Sequence, residues 1–365
     1  GRAGRAGRAG WAARREDSSF DGDSDFEMAW RPVLFSAALV SFLPAQGSLP
    51  RHTELAFVPP PAYGAQILPS MKLRGGEDSS ETVLFYEDIL EDDPGSSTAH
   101  VNLGRVYERR NDLPAAERHY NIAKTLAPTD PHPYSYLGQI LMNHHNDLEA
   151  ALEEFTRAVA LRPEDPDLHH VLARINHGLG RHEEAKRGYQ ETLRLQPNDG
   201  QTMSDLGSLL EGEAGDEDTV LGLYKQATKF HPDSASAWSN HGAALLKREK
   251  YTDAIASFRK ALDIEPDFHF ALCNLGNALS VIAPESAEIE DIYMRAVDVC
   301  PFDPVTLVNY GKICLEKNKV KEAEDVFEEA VKLQPDMVEA ISGLGNVIEK
   351  RLNDNLDIKR KKQFL

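Results

Sequence analysis

From Ser80 to Arg351 the apolar residues come back in a fixed order, with polar residues filling the spaces between them. The order is clearest in Ala235 to Phe268, ASAWSNHGAALLKREKYTDAIASFRKALDIEPDF, where Trp238, Gly242 and Leu245 form one set and Ala254, Phe258 and Ala261 another. Within each set the spacing is three or four residues, which puts the side chains on one face of a helix. The polar run KREK separates the two sets and Pro266 closes the second. Such a segment predicts two helices joined by a short turn.

The same order recurs through the chain. Pro94, Pro128, Pro163, Pro197, Pro232, Pro266, Pro301 and Pro335 are separated by 34, 35, 34, 35, 34, 35 and 34 residues. Gly104, Gly138, Ala173, Gly207, Gly242, Gly276, Gly311 and Gly345 keep those seven intervals. Two columns in one register exclude composition bias and mark a repeat array. Proline cannot continue a helix and pushes the preceding residue out of the α region, so it ends every unit at one point. The small columns let the two helices of a unit approach closely. Tyr120, Phe155, Tyr189, Tyr224, Phe258, Tyr293 and Phe327 share the inner face of the second helices and read as core.

The units divide as 97–130, 131–165, 166–199, 200–234, 235–268, 269–303 and 304–337. Residues 80–96 predict a lone second-type helix and 338–351 a lone first-type helix, with a polar and basic tail over 352–365. The extra residue of units two, four and six lies between glycine and aromatic, so their inner turns are expected to be longer. Val220 and Ile289 replace alanine in units four and six, which predicts slightly splayed helix pairs there. The turn EGEAGDED (211–218) is glycine-rich and acidic, a candidate mobile loop.

Trp238, Gly242, Leu245, Ala254, Phe258, Ala261 and Pro266 resemble the signature of the tetratricopeptide repeat, and the resemblance runs over roughly residues 80–351. It implies an all-α fold, an α-solenoid in which helix-turn-helix units form a right-handed superhelix. It also implies that first helices line a concave face, with ligand contacts at unit positions 2, 5, 6, 9 and 12. Position 6 holds Asn102, Asn240, Asn274 and Asn309, and position 9 holds Asn277 and Asn346. An asparagine amide both donates and accepts, so a row of them can grip an extended main chain without reading its side chains. This is similar to the asparagine ladder of the O-GlcNAc transferase repeat region. Arg105 at position 9 of unit one is a candidate partner for an acidic ligand group. A carboxylate clamp for chaperone tails is not met, because positions 5 and 9 of that unit hold Val101 and Arg105.

Composition narrows the partner. With 40 Lys and Arg against 59 Asp and Glu the net charge is -19, which disfavours nucleic acid and suits neutral or basic polypeptides. Cys273, Cys300 and Cys314 read as small core residues at helical positions, with no zinc-type spacing. Seven of the 13 histidines fall between His132 and His182, but no carboxylate or cysteine completes a ligand set, so no metal site is assigned. No nucleophile elbow, phosphate loop or HExxH appears, and neither a cofactor nor a small-molecule substrate is expected.

The first 79 residues differ in kind. Residues 1–27, opening GRAGRAGRAG, read as an upstream or disordered segment, and Met28 is the better initiator candidate. MAWRPVLFSAALVSFLPAQG (28–47) has the charge, apolar stretch and small residues of a signal peptide, followed by a disordered leader over 48–79 that is acid-poor through residue 76. The pair resembles the two-part presequences of algae with complex plastids and predicts targeting to the secretory route. Membrane contact is expected only through this leader, and otherwise the compartment is cytoplasmic. The expected function is a non-enzymatic scaffold that holds an extended segment of a protein partner. The alternative is the repeat portion of a glycosyltransferase similar to an O-GlcNAc transferase or a repeat-bearing O-mannosyltransferase.

Overall fold

Regular proline stops and small-residue columns should give pairs of short antiparallel helices. The computed structural model describes residues 80–213 and 216–363, with side chains described through Asn353. Among them are sixteen α-helices and no strand. Ser80–Asp92 (α1) stands first. Seven pairs follow: Ser97–Arg109 and Leu113–Leu126 (α2, α3), Pro131–Asn143 and Leu148–Leu161 (α4, α5), Pro166–Gly178 and His182–Leu195 (α6, α7), Gly200–Gly212 and Glu217–Phe230 (α8, α9), Ala235–Lys247 and Tyr251–Ile264 (α10, α11), His269–Ile282 and Glu288–Val299 (α12, α13), and Pro304–Glu316 and Val320–Leu333 (α14, α15). Val338–Gln363 (α16) closes the series. Each helix packs mainly on its neighbours in sequence, which makes the array an α-solenoid. The first helices of the pairs begin at the first residue of the seven divisions. The candidate signal peptide and the rest of residues 1–79 lie outside the described residues, as do Ala214 and Gly215 of the acidic turn.

The helix starts are fixed locally. Ser96, Asp112, Asp130, Asp147, Asp165, Asp199, Asp216, Ser234 and Asp303 each accept a backbone N–H of the helix that follows. Each such cap stabilises its helix by about 1 kcal/mol. Three residues join the helices in units one, three, five and seven, and four or five in units two, four and six, as the extra residue requires. Asn111, Gly180, Glu249 and Asn318 take φ of 61°, 71°, 57° and 60° to close the shorter turns. Glu249 is the unusual one, since a long side chain in the left-handed region costs about 1–2 kcal/mol.

The glycine and aromatic columns meet directly. A Cβ added at Gly104, Gly138, Gly207, Gly242, Gly276 or Gly311 would lie 2.6–2.8 Å from the aromatic ring of its own unit's second helix. In unit three Ala173 stands in the glycine column, and the second helix gives way instead: a Cβ on Gly188 would lie 2.7 Å from that of Ala173. The splay expected from Val220 and Ile289 is not present at this contact. A Cβ added at Gly207 or Gly276 would lie 2.8 or 2.7 Å from the ring of Tyr224 or Tyr293, within the range of the other pairs, and the branched residues are 5% and 1% exposed. The helix pairs of these two units, above all unit six, nevertheless pack less extensively than the other five, in line with the expected splay away from the glycine.

The proline carbonyls carry a second device. Trp238 Nε1 donates to the Pro232 carbonyl (2.9 Å) and the Tyr134 hydroxyl to that of Pro128 (3.2 Å). His169 and His100 reach Pro163 and Pro94 through Nε2 at 2.9 and 3.4 Å. All four side chains stand six residues after the proline. Where Leu272 takes that place, Arg295 from α13 donates to the Pro266 carbonyl instead, at 2.6 Å. A carbonyl that the broken helix leaves open is thereby satisfied.

Two further expectations differ from the structure. The helix that opens at Val338 runs on through the polar tail to Gln363, because the residues after Arg351 include no proline or glycine and loss of apolar patterning alone does not end a helix. Of the cysteines only Cys314 is buried; Cys300 lies just past the end of α13 and, like Cys273, is partly exposed. Burial pushes the Cys314 thiol up to about 12.

Candidate functional site

In α4 and α16 position 6 lies over the aromatic core of the unit before it. Tyr136 stacks on Tyr120 with 5.4 Å between ring centroids, and Gly343 of α16 rests on Phe327 so closely that a Cβ would overlap the ring. At the same place in their units, Asn102, Asn240, Asn274 and Asn309 are half-buried. Their amides are engaged unequally. Asn240 Nδ2 donates to Ser204 Oγ of the preceding first helix (3.1 Å). Asn309 Nδ2 donates to Asn277 Oδ1 (3.3 Å), which also accepts the Tyr293 hydroxyl at 2.6 Å. Asn102 and Asn274 make no side-chain hydrogen bond among the described residues. Asn346 is exposed on α16, and Gly345 beside it meets nothing within 4 Å among the described residues. Each amide has two N–H groups and an acceptor oxygen, so Asn240 and Asn309 keep one donor and the oxygen. The Arg105 guanidinium lies 5.6 Å from the Tyr136 ring centroid, a cation–π contact that holds it against the face.

Position 12 proves to be structural. The Tyr120 and Tyr224 hydroxyls donate to Glu108 (2.7 Å) and Glu211 (3.0 Å), and Tyr189 faces His177 at 3.5 Å. Where the core ring is Phe155, Phe258 or Phe327, position 12 holds Met142, Leu246 or Leu315. Core phenol and polar partner change together, a pairing that was readable in the sequence from the alternation of Tyr with Phe. Burial lifts the Glu108 carboxyl above the usual range, opposed by the Tyr120 hydrogen bond. Burial likewise lowers His177.

Units three and four share a titratable cluster on this face. His170 Nδ1 lies 2.6 Å from Thr202 Oγ1 and its Nε2 3.3 Å from Asp205 Oδ2, while Gln201 donates to Asp205 Oδ1 at 3.0 Å. Other histidines of the 132–182 stretch go to separate partners: His132 to Asp130 and His145 to Glu117. Their ring nitrogens do not converge. Among the described residues the ligand atoms that do converge belong to His269, Cys273 and Asp303.

Family profiles described as tetratricopeptide repeat match residues 85–131, 144–206, 235–268 and 305–337. The chain belongs to the tetratricopeptide repeat family. Its repeats are 25% identical over 258 residues to the human protein O-mannosyl-transferase TMTC3, a match covering 69% of this chain and 26% of that protein. They are 27% identical over 139 residues to the CTR9 homolog of Arabidopsis thaliana (38% of this chain, 12% of the relative) and 35% over 79 residues to the BBSome complex member BBS4 homolog of Drosophila melanogaster (22% and 16%). The matched part thus spans about a quarter or less of these relatives. In fold the tetratricopeptide array is similar to the structure of the APC/C hetero-tetramer Cut9-Hcn1, with a TM-score of 0.57 and 16% identity over 75% of this chain and 57% of that one. It is also similar to that of Pseudomonas aeruginosa pilF, with a TM-score of 0.53 and 16% identity over 58% and 95%. Among the described residues no helix is long and apolar enough to cross a membrane.

Proposed function

We propose that this protein is a non-enzymatic scaffold whose first helices hold an extended segment of a protein partner. The observation that carries the reading is the row of half-buried amides at Asn102, Asn240, Asn274 and Asn309, each with donors left over after its contacts within the array. An extended chain presents one N–H and one C=O per residue, which such amides match, and the net charge of -19 favours neutral or basic segments. Arg105 extends the row as a contact suited to an acidic group, and Asn346 lies at its far end. The test is to screen the full chain against a library of unstructured peptides and then to replace Asn102 and Asn274, which pair with nothing in the array, by alanine. Retained peptides should lose at least tenfold in affinity while the melting temperature stays within about 1 °C. Unchanged affinity would remove the amide row from the mechanism.

A second reading, the repeat portion of a larger O-mannosyltransferase-like protein, is supported by the TMTC3 match over 258 residues. Full-length transcripts that continue into a catalytic region would favour it over the scaffold. Targeting to the secretory route through residues 28–47 belongs to the proposal as well; a fluorescent fusion of residues 28–80 that stays diffuse in the cytosol would defeat it.

A further inference from the structure

His269 and Cys273 are one turn apart on α12, and Asp303 precedes α14 of the next unit. The pairing of units six and seven brings their ligand atoms together, all within 4.8 Å of one another. His269 Nε2 lies 3.3 Å from Asp303 Oδ2 and 3.7 Å from Cys273 Sγ. These separations are informative. With Zn–N and Zn–O of about 2.0–2.1 Å and Zn–S of about 2.3 Å, a tetrahedral site has N···O edges of about 3.3 Å and N···S edges of about 3.6 Å. The two edges made by His269 Nε2 therefore match those of a zinc site.

From this geometry we infer a binding site for a borderline-soft divalent cation, zinc by its donor set, formed by His269, Cys273 and Asp303 between units six and seven. One nitrogen, one thiolate and one carboxylate form a combination that zinc accepts and calcium or magnesium does not favour. The fourth position is left to water or to a donor from a bound segment. Thr306 supports the ligands: its hydroxyl lies 3.0 Å from Cys273 Sγ and 3.3 Å from His269 Nε2, and it donates to the Asp303 carboxylate. Hydrogen bonds of this kind orient metal ligands. Asp303 also accepts the backbone N–H groups of Val305 and Thr306, so its carboxylate is held in place before any ion arrives. Binding replaces the thiol proton by the metal and releases it to solvent. The ion joins two consecutive first helices at Cys273, beside Asn274 of the amide row, yet the inference does not depend on what that row binds.

The test uses the untagged full chain, reduced and stripped with chelator, and titrated with Co2+ as a spectroscopic probe. Expected is one ion per chain with a thiolate-to-metal charge-transfer band, displaced by Zn2+, kept by Cys300→Ser and abolished by Cys273→Ser. Zinc should also raise the melting temperature of the wild type and of Cys300→Ser but not of Cys273→Ser. His269→Ala should weaken binding at least tenfold. No charge-transfer band, or equal binding by Cys273→Ser, would overturn the proposal and leave the cluster as a helix cap with a neighbouring thiol.

Discussion

The first four units and the last three are built on the same repeat columns, with single departures in each half, but their cores connect differently. From Ala235 to Val347 most of the buried apolar side chains form one continuous cluster that crosses every helix boundary. In the first four units they fall into separate clusters, among them one around Tyr120, Tyr136 and Ile140 and another around Tyr189, Leu206 and Leu209. Polar groups are buried at joints in both halves: Thr202 is 0% exposed and Thr192 1% where units three and four meet, and Thr306 is 0% exposed where units six and seven meet. A linear repeat array is as cooperative as the interfaces between neighbours. The columns that make a repeat recognisable therefore do not set its cooperativity, which depends on the residues between them.

Truncating one ring in each half is the strongest way to break this comparison. Phe258→Ala and Tyr189→Ala should each cost about 3–5 kcal/mol, by cavity formation. In hydrogen exchange, loss of protection should spread from Phe258 through unit seven but stay near Tyr189 in units three and four. An equally confined loss at Phe258 would show that the continuous cluster does not couple the units.

The tyrosine partners allow a smaller and sharper test. Tyr120→Phe leaves the Glu108 carboxylate without its donor and should cost about 1–3 kcal/mol. Adding Glu108→Leu, which copies the Phe258 and Leu246 pairing of unit five, should restore most of the loss, as measured in denaturant melts of the double-mutant cycle. Additive losses would break the link between the two columns.

Acid should also separate the halves. Burial, with His100 as the next contributor, lowers His119; burial lowers His177, with His182 adding to it and Asp205 opposing. In units five to seven burial lowers His241. A histidine with a depressed folded pKa contributes stability above its unfolded pKa of about 6.5 and loses it as the pH falls through the folded value. His100 and His119 also face each other through Nδ1 at 2.9 Å, where one nitrogen must accept, so charging both rings breaks the contact. Lowering the pH from 7.5 to 5 should therefore open units one and three before units six and seven in hydrogen exchange. Uniform opening would contradict the assignment. The smallest effect is expected at Glu249→Gly, which relieves the left-handed turn of unit five and should raise stability by up to about 1 kcal/mol in thermal melts.

The repeat architecture was legible because its causes are local. Proline after a second helix stops it, and a glycine column paired with an aromatic column at alternating spacing leaves one way to pack, so unit boundaries, helix pairs and the longer turns of the even units all follow from the chain. The amide row could be placed but not its engagements: that Asn309 reaches Asn277 and Asn240 reaches Ser204, while Asn102 and Asn274 stay unpaired in the array, depends on residues more than thirty positions apart. The compensation of Ala173 by Gly188 lies within one unit, yet it too shows only when the two helices have packed. So does the grouping of His269, Cys273 and Asp303, since histidine density pointed to a different stretch and the ligand atoms meet only when one unit stacks on the next. Sequence alone determined what each helix is and where it turns, because those choices are made by neighbours along the chain. Tertiary structure decided which polar groups are already engaged and which are left to bind, because the helices of adjoining units satisfy one another only after they have packed.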